Sequence, residues 1–414
     1  MLEEFVKNGT VGARLRASLF APYLDSFVAL VSRLGYARAT IQRQLGLLAD
    51  VGRSRTRGAL AISDLEAVRD RWLRKRLKAG GVRRGDAKTL RLFLDHLRAE
   101  GVLRPPAPAV DASPVAVLKT RYEEYLRRER GLSPVTGGRY WWVLRRFLRE
   151  RFGDGPVRLS ELTPDDVTQF LLRRHAQRHT PKVVQLHVTA LRSFLRFLFL
   201  EGDLDRDLSA VVPTVRSWRL ADIPKFLKAA DIDRLLQSCN RTSLVGRRNY
   251  AVLLLLARLG LRAGEVVRLE LGDLDWRAGE LTVRGKGSVH DRLPLPREVG
   301  EALAVYLRTD RPSCTTRRVF LRTRAPHRGL NHSSTVSTIV RRALDRVGLT
   351  PPIKGAHVLR HSLATELLRR GASLAEIGEV LRHQTPQTTA IYAKVDLEGL
   401  RPLARPWPTG GGAQ

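Results

Sequence analysis

A chain of 414 residues with 43% hydrophobic content is too long for one ordinary core and too apolar to be globally disordered, so two or three folded domains are expected. Lys and Arg number 73 against 41 Asp and Glu, a formal net charge of +32. Such an excess repels itself unless a polyanion is the partner, and nucleic acid is the first candidate because cations that neutralise phosphates release counterions.

The first ten residues, MLEEFVKNGT, start acidic and hold no apolar signal core. The longest apolar run, Ala251 to Ala257, is too short to span a bilayer. Cys239 and Cys314 lie far apart and read as structural thiols of a reducing compartment. These features predict a cytoplasmic protein with no membrane partner.

Two helical units are expected first, over 1–104 and 114–212. The segment RPPAPAVDASP, from Arg104 to Pro114, has too many prolines for helix and marks a linker over 105–113. The units share a pattern: LRLFLDHLRAEGVL (90–103) answers LRSFLRFLFLEGDL (191–204), 101 residues on. ISDLEAV (62–68) answers LTPDDVT (162–168), and GYARATIQRQLGLL (35–48) answers GLSPVTGGRYWWVL (131–144). Three matches in one order indicate an internal duplication. Each copy reads as about four helices, with Ser63 and Thr163 at N-cap positions and Leu90, Phe93, Leu94 and Leu97 as a core stripe. The basic stretches RDRWLRKRLK (69–78) and RRFLRER (145–151), with Trp141 and Trp142, are expected to face DNA. A plain solvated surface is their bland alternative.

A boundary without clear period runs from Val212 to Pro224, and a larger mixed domain is expected over 225–400. Helices are predicted at 230–239, 247–259, 298–307, 334–347, 359–370 and 374–381. Two strands, 280–284 and 292–296, flank a Gly-Lys-Gly-Ser turn as a hairpin. The end of the chain, 401–414, closes on GGGAQ and is expected to be a disordered tail. The fold class is therefore mainly α with a small antiparallel β-sheet.

Five places in this last domain could carry chemistry together. Arg262 sits in a turn between apolar helices, in ARLGLRAGEVVRLELGDLD, and Lys286 sits at the hairpin tip. His357 and Arg360 open a helix in HVLRHSLATELL. LRHQTPQTTAIY supplies His383 and, nine residues on, Tyr392. Alone, each is bland. The glycine turn lacks the spacing of a phosphate-binding P-loop. His357 and His361, four apart, lack the Glu and the third ligand of a zinc site. His175 and His179 read as polar residues of a basic helix.

Taken in order, Arg262 with Glu265, Lys286, His357 with Arg360, His383 and Tyr392 resemble the tyrosine recombinase (phage integrase) family, as do the flanks LRHSLAT and TTAIY. The resemblance is detailed over 225–400, and 114–210 looks like that family's core-binding domain. It implies a site-specific DNA recombinase that cuts and rejoins strands through a 3′-phosphotyrosyl ester, for integration, excision or transposition of a mobile element. It implies catalytic roles for Arg262, Lys286, His357, Arg360, His383 and Tyr392. Two Arg forks would bind charge on the non-bridging oxygens. His357 or His383 would take the Tyr392 proton, and Lys286 would protonate the departing 5′ oxygen. Bond energy stays in the ester, so no cofactor and no metal is required. The expected partner is double-stranded DNA, clamped from both sides by the two helical bundles and the catalytic domain, with a homotetramer on paired sites, with or without sister recombinases.

Two departures stand out. Arg382 occupies the place before His383 where the family commonly has Gly, so either the local backbone differs or Arg382 adds a phosphate contact. The copy over 1–104 is an addition to the minimal family plan. A type IB topoisomerase shares this chemistry and is the nearest rival; a DNA-binding protein that has lost catalysis is the other.

Overall fold

The computed structural model describes residues 1–6, 9–52, 65–78, 83, 85–105, 112–176, 180–215, 223–285, 290–395 and 401, without the side chains of 175 and 176. Ser63, His179, Lys286, most of the expected linker and all but one residue of the expected tail lie outside the described residues, as does the side chain of His175.

Two compact units divide the chain, and not in sequence order: Met1–Pro105 groups with Asp222–Gln414, and Pro106–Ala221 stands apart. Met1–Pro105 holds α1 (Leu2–Phe5), α2 (Gly9–Arg16), α3 (Leu24–Arg33), α4 (Arg38–Gly52), α5 (Leu65–Lys78) and α6 (Asp86–Ala99). The expected stripe Leu90, Phe93, Leu94 and Leu97 is buried on α6, where the Phe93 ring meets the edges of Phe20 and Phe27.

Pro106–Ala221 holds α7 (Pro114–Arg128), α8 (Pro134–Phe152), α9 (Pro164–Ala176) and α10 (Pro181–Leu200). Sequence chemistry starts these helices: Ser113 and Ser133 accept from backbone N–H groups three residues on, with Pro at the first helical position. Thr163 and Asp166 bond reciprocally at the head of α9. Leu191, Phe194, Leu195 and Leu198 of α10 are buried like their partners on α6. The second pairing holds less well. Leu65, Val68 and Trp72 are buried on α5, while Val167, Phe170 and Arg174 are buried on α9, a match two residues out of phase with LTPDDVT against ISDLEAV. Trp141 also departs from expectation, as it belongs to the core. Trp142 is the exposed ring, stacked near His187. By length and apolarity α10 could cross a membrane, which a search for unbroken apolar runs overlooks, yet half of it is buried inside the bundle.

The remainder begins with α11 (Ala229–Gln237), α12 (Leu244–Arg258) and α13 (Ala263–Arg268), followed by strands β1 (Leu274–Asp275), β2 (Glu280–Arg284) and β3 (His290–Pro294). Then come α14 (Arg297–Thr309), α15 (Ser333–Arg346), α16 (Ala356–Arg369), α17 (Leu374–Val380) and α18 (Pro386–Thr389). The strands form one antiparallel sheet in the order β1-β2-β3, with Arg284 opposite His290 at the hairpin end. The first expected strand matches β2. The second starts two residues early, because pairing to β2 sets its register, and β1 is not foreseen by the sequence. Every residue from Ala251 to Ala257 is buried, so this stretch of α12 is apolar all round and runs through the core. A smaller cluster of Ala364, Ile377, Leu381 and Tyr392 packs α16 against α17 and the closing turn Ala390–Val395.

Candidate active site

The site assembles where α12 ends. Gly260, at φ +58, turns the chain out of that helix, and a Cβ there would lie 2.8 Å from Leu381 and 3.0 Å from Leu363. Arg262 follows as the N-cap of α13. Its backbone N–H donates to Glu265 Oε2 at 2.7 Å and its Nη1 to Glu265 Oε1 at 2.8 Å. Its Nη2 donates to the Arg382 carbonyl at 3.1 Å. The carboxylate is buried and the arginine is 40% exposed, so the fork is anchored at the back and open at the front. Burial raises the Glu265 pKa, but the hydrogen bonds from Arg262 and the charges of Arg382 and Arg262 outweigh it and hold the carboxyl below its usual value.

Arg360, one turn into α16, is buried and donates to the carbonyls of Gly260 and Leu381. Burial, then repulsion from Arg262 and Arg382, pushes its guanidinium down to about 10. The consecutive carbonyls of Leu381 and Arg382 thus receive the two forks, Arg360 and Arg262. That common anchor brings both arginines to one place although they are 98 residues apart in sequence.

Tyr392 lies in the short turn after α18 with only 1% of its surface exposed. Its hydroxyl is 2.9 Å from Nδ1 of His361, and burial pushes its pKa up to about 12. The His383 ring lies parallel to the Tyr392 ring at 6.4 Å between centroids, and its Nδ1 is 2.7 Å from the Thr389 hydroxyl. Burial first, then Arg360 and Arg262, lowers His383 to about 4. His357 lies at the solvent edge, one helical turn before His361. Desolvation, then Arg360 and Arg262, keeps it below the ordinary imidazole value.

The structure therefore brings together Arg262, Arg360, His383 and Tyr392, with His357 at the rim. Lys286 lies outside the described residues, between Arg284 and His290 of the hairpin. His361 is the residue that sequence reasoning misses, because spacing alone offers it only as half of a zinc pair. Its signal is its place one residue after Arg360 and one turn after His357. The alternatives for Arg382 are resolved too: it keeps a positive φ of +54 and turns its side chain inward.

Residues 225–398 match the sequence profile described as the phage integrase family, and 120–202 match the phage integrase N-terminal SAM-like domain. A candidate integrase/recombinase of Sinorhizobium fredii, y4rA, is 44% identical over 94% of this chain and 94% of its own length. The tyrosine recombinase XerC of Oceanobacillus iheyensis is 31% identical over 68% of this chain and 92% of its own. XerD of Mycobacterium tuberculosis is 32% identical over 68% and 93%. Among solved structures, XerH bound to a palindromic difH substrate covers 82% of this chain and 95% of its own, at 18% identity and a TM-score of 0.53. A lambda integrase dimer bound to a core site covers 67% and 94%, at 20% identity and a TM-score of 0.51. The last two share the fold, and the sequence relatives carry the activity. The chain belongs to the phage integrase family and is a tyrosine-type site-specific DNA recombinase.

Proposed function

We propose that Tyr392 is the nucleophile of strand cleavage and that Arg262 and Arg360 hold the phosphate it attacks. The observation that carries this reading is the shared anchor of the two forks, on the two residues directly before His383 and close to the Tyr392–His361 pair. The phenolic oxygen forms a bond to phosphorus as the bond to the 5′ oxygen breaks, leaving a 3′-phosphotyrosyl ester. The phenolic proton passes to an imidazole. His361 is the nearest, in preference to His357 or His383. Lys286 supplies the proton that the 5′ oxygen gains. His357 and His383 stay neutral beside the cations and donate hydrogen bonds to the phosphate. Rejoining reverses these steps with the 5′ hydroxyl of another strand. A phenol this deeply covered has to turn out of the Ala364–Ile377–Leu381 cluster to meet DNA.

Double-stranded DNA is the proposed partner, supported by the net charge of +32 and by the DNA named with the XerH and lambda integrase structures. A homotetramer on paired sites is proposed by likeness to a lambda integrase tetramer bound to a Holliday junction. The work proposed is integration, excision or transposition of a mobile element, in the cytoplasm. Within the chain, 225–400 is the proposed catalytic domain, 114–212 the core-binding domain and 1–104 its repeat.

Tyr392→Phe removes one hydroxyl. The variant should bind DNA with unchanged affinity and form no covalent adduct with a nicked suicide substrate. An adduct trapped on the Phe variant would remove Tyr392 from this role.

A further inference from the structure

Arg382 takes no part in the steps above, yet both its backbone and its side chain are held. It is the one described non-glycine residue at positive φ, a region that side chains with a Cβ enter only at a cost. Its side chain is 6% exposed. Nη2 donates to Glu265 Oε2 at 3.1 Å, Nη1 donates to the Val380 carbonyl at 3.2 Å, and the Arg382 carbonyl accepts from Arg262. Nε is buried with no hydrogen-bond partner, and Asp291 Oδ2 on β3 is 3.9 Å away.

Two consequences follow for Arg262. First, one residue braces it twice, by a carbonyl on Nη2 and by a guanidinium on the carboxylate that holds Nη1. Second, the charge balance changes. Glu265 with Arg262 alone is a neutral pair, and a phosphate arriving at Arg262 competes with that carboxylate. A second guanidinium on Glu265 Oε2 divides the carboxylate's charge and leaves the trio at +1. Asp291 extends the trio to the strand that follows Lys286, within ion-pair distance of Nε but short of a hydrogen bond; the four groups then sum to zero, against −1 without Arg382.

We propose that Arg382 is a positioning residue: acting through Glu265, it sets the orientation and net charge of Arg262, and through Asp291 it ties that arginine to the β2–β3 hairpin. A side chain aimed at solvent or directly at phosphate would leave Glu265 to Arg262 alone. The left-handed backbone keeps the Arg382 carbonyl on Arg262 whichever residue stands here, so the side chain is what distinguishes this site from one with Gly. The proposal rests on the reading of Arg262 as a phosphate ligand. The test below reads adducts at Tyr392, which the Phe variant establishes separately.

The full chain is compared with Arg382→Gly, Glu265→Gln and the double variant in single-turnover cleavage of a nicked duplex at saturating DNA, beside thermal melts. Glycine suits φ +54, so Arg382→Gly should stay folded. Cleavage should slow by about tenfold or more with little change in DNA affinity, because the defect lies in the transition state. In the Glu265→Gln background the same substitution should cost less than about threefold, since the carboxylate it acts on is gone. Arg382→Lys should recover part of the rate, as it keeps the charge without the fork. A folded Arg382→Gly enzyme that cleaves at the wild-type rate overturns the proposal. Equal rate defects in both backgrounds overturn it as well. If Arg382→Gly melts early, the cycle is run with Arg382→Lys, and equal defects again count against the role.

Discussion

At the scale of single residues, the site is a set of titratable groups whose positions in the low dielectric decide their protonation. His383 at about 4 and His357 below its ordinary value are neutral near pH 7, and Tyr392 at about 12 is a phenol there. A neutral imidazole is present above its folded pKa and disappears as pH falls through it. Burial and the neighbouring arginines lower the Arg360 guanidinium, yet it keeps its charge throughout the neutral range. With the phenol un-ionised up to about pH 12, single-turnover cleavage should show no rise through pH 10, where an ordinary tyrosine ionises, read from adduct yield against time in a buffer series. A rise centred near pH 10 would mean that Tyr392 is not covered as described. The His383 shift bears on stability. His383 is depressed from 6.5 in the unfolded chain, so its contribution is intact above about pH 6.5 and erodes as pH falls towards 4. Most of this set is legible in sequence, because its members sit in short motifs at fixed spacing. His361 is not. Helical spacing places His357 and His361 on one face, but which of them meets Tyr392 depends on where the turn Ala390–Val395 packs, and that contact spans 31 residues.

Elements decide whether these residues can meet. Gly260 ends the apolar helix α12, gives its carbonyl to Arg360, and has no room for a Cβ beside Leu381 and Leu363. Gly260→Ala adds the penalty of a positive φ to an overpacked contact, together roughly 2–4 kcal/mol. The expected outcome is a lower urea midpoint with unchanged slope, and cleavage reduced even where the protein is folded. Wild-type cleavage in the folded range would show that the Gly260 carbonyl is dispensable. Helix positions are readable because caps and apolar spacing are local signals; α17 and β2 come within a residue of their expected bounds. The second strand and β1 escape a reading of sequence because register belongs to the pairing, which no single segment contains. Composition puts Trp141 on a basic surface, whereas its phase on α8 turns it into the bundle.

For the whole molecule, charge is unevenly spread. Residues 1–104 carry 21 Lys and Arg against 10 Asp and Glu, while 114–212 carry 18 against 12. Residues 1–104 are thus the more basic of the two segments, which favours a second stretch of phosphate contacts over a purely protein-facing role. Removing residues 1–108 should weaken DNA binding, shorten the footprint, and flatten the log–log salt dependence by about 0.9 for each phosphate no longer bound, while adduct formation on a core site persists. An unchanged slope and footprint with failed pairing of sites would assign the copy to protein contacts instead. The truncation also removes the Leu34 carbonyl and Gly35, against which His327 of the last part of the chain is seated. A lowered melting temperature is therefore expected alongside.

The anchor of both arginines on Leu381 and Arg382 reaches beyond geometry. The Leu381 and Arg382 carbonyls that receive the forks, His383 and the phenol all belong to one short stretch, 381–392, and the phenol is packed among that chain's own Ala364, Ile377 and Leu381. On the proposed roles, each protomer carries its attacking group and its phosphate grip as one piece. In an assembly of mixed subunits, an inactive copy would then silence its own half-site and borrow nothing from its neighbours, so activity would vanish in whole half-sites rather than being diluted across them.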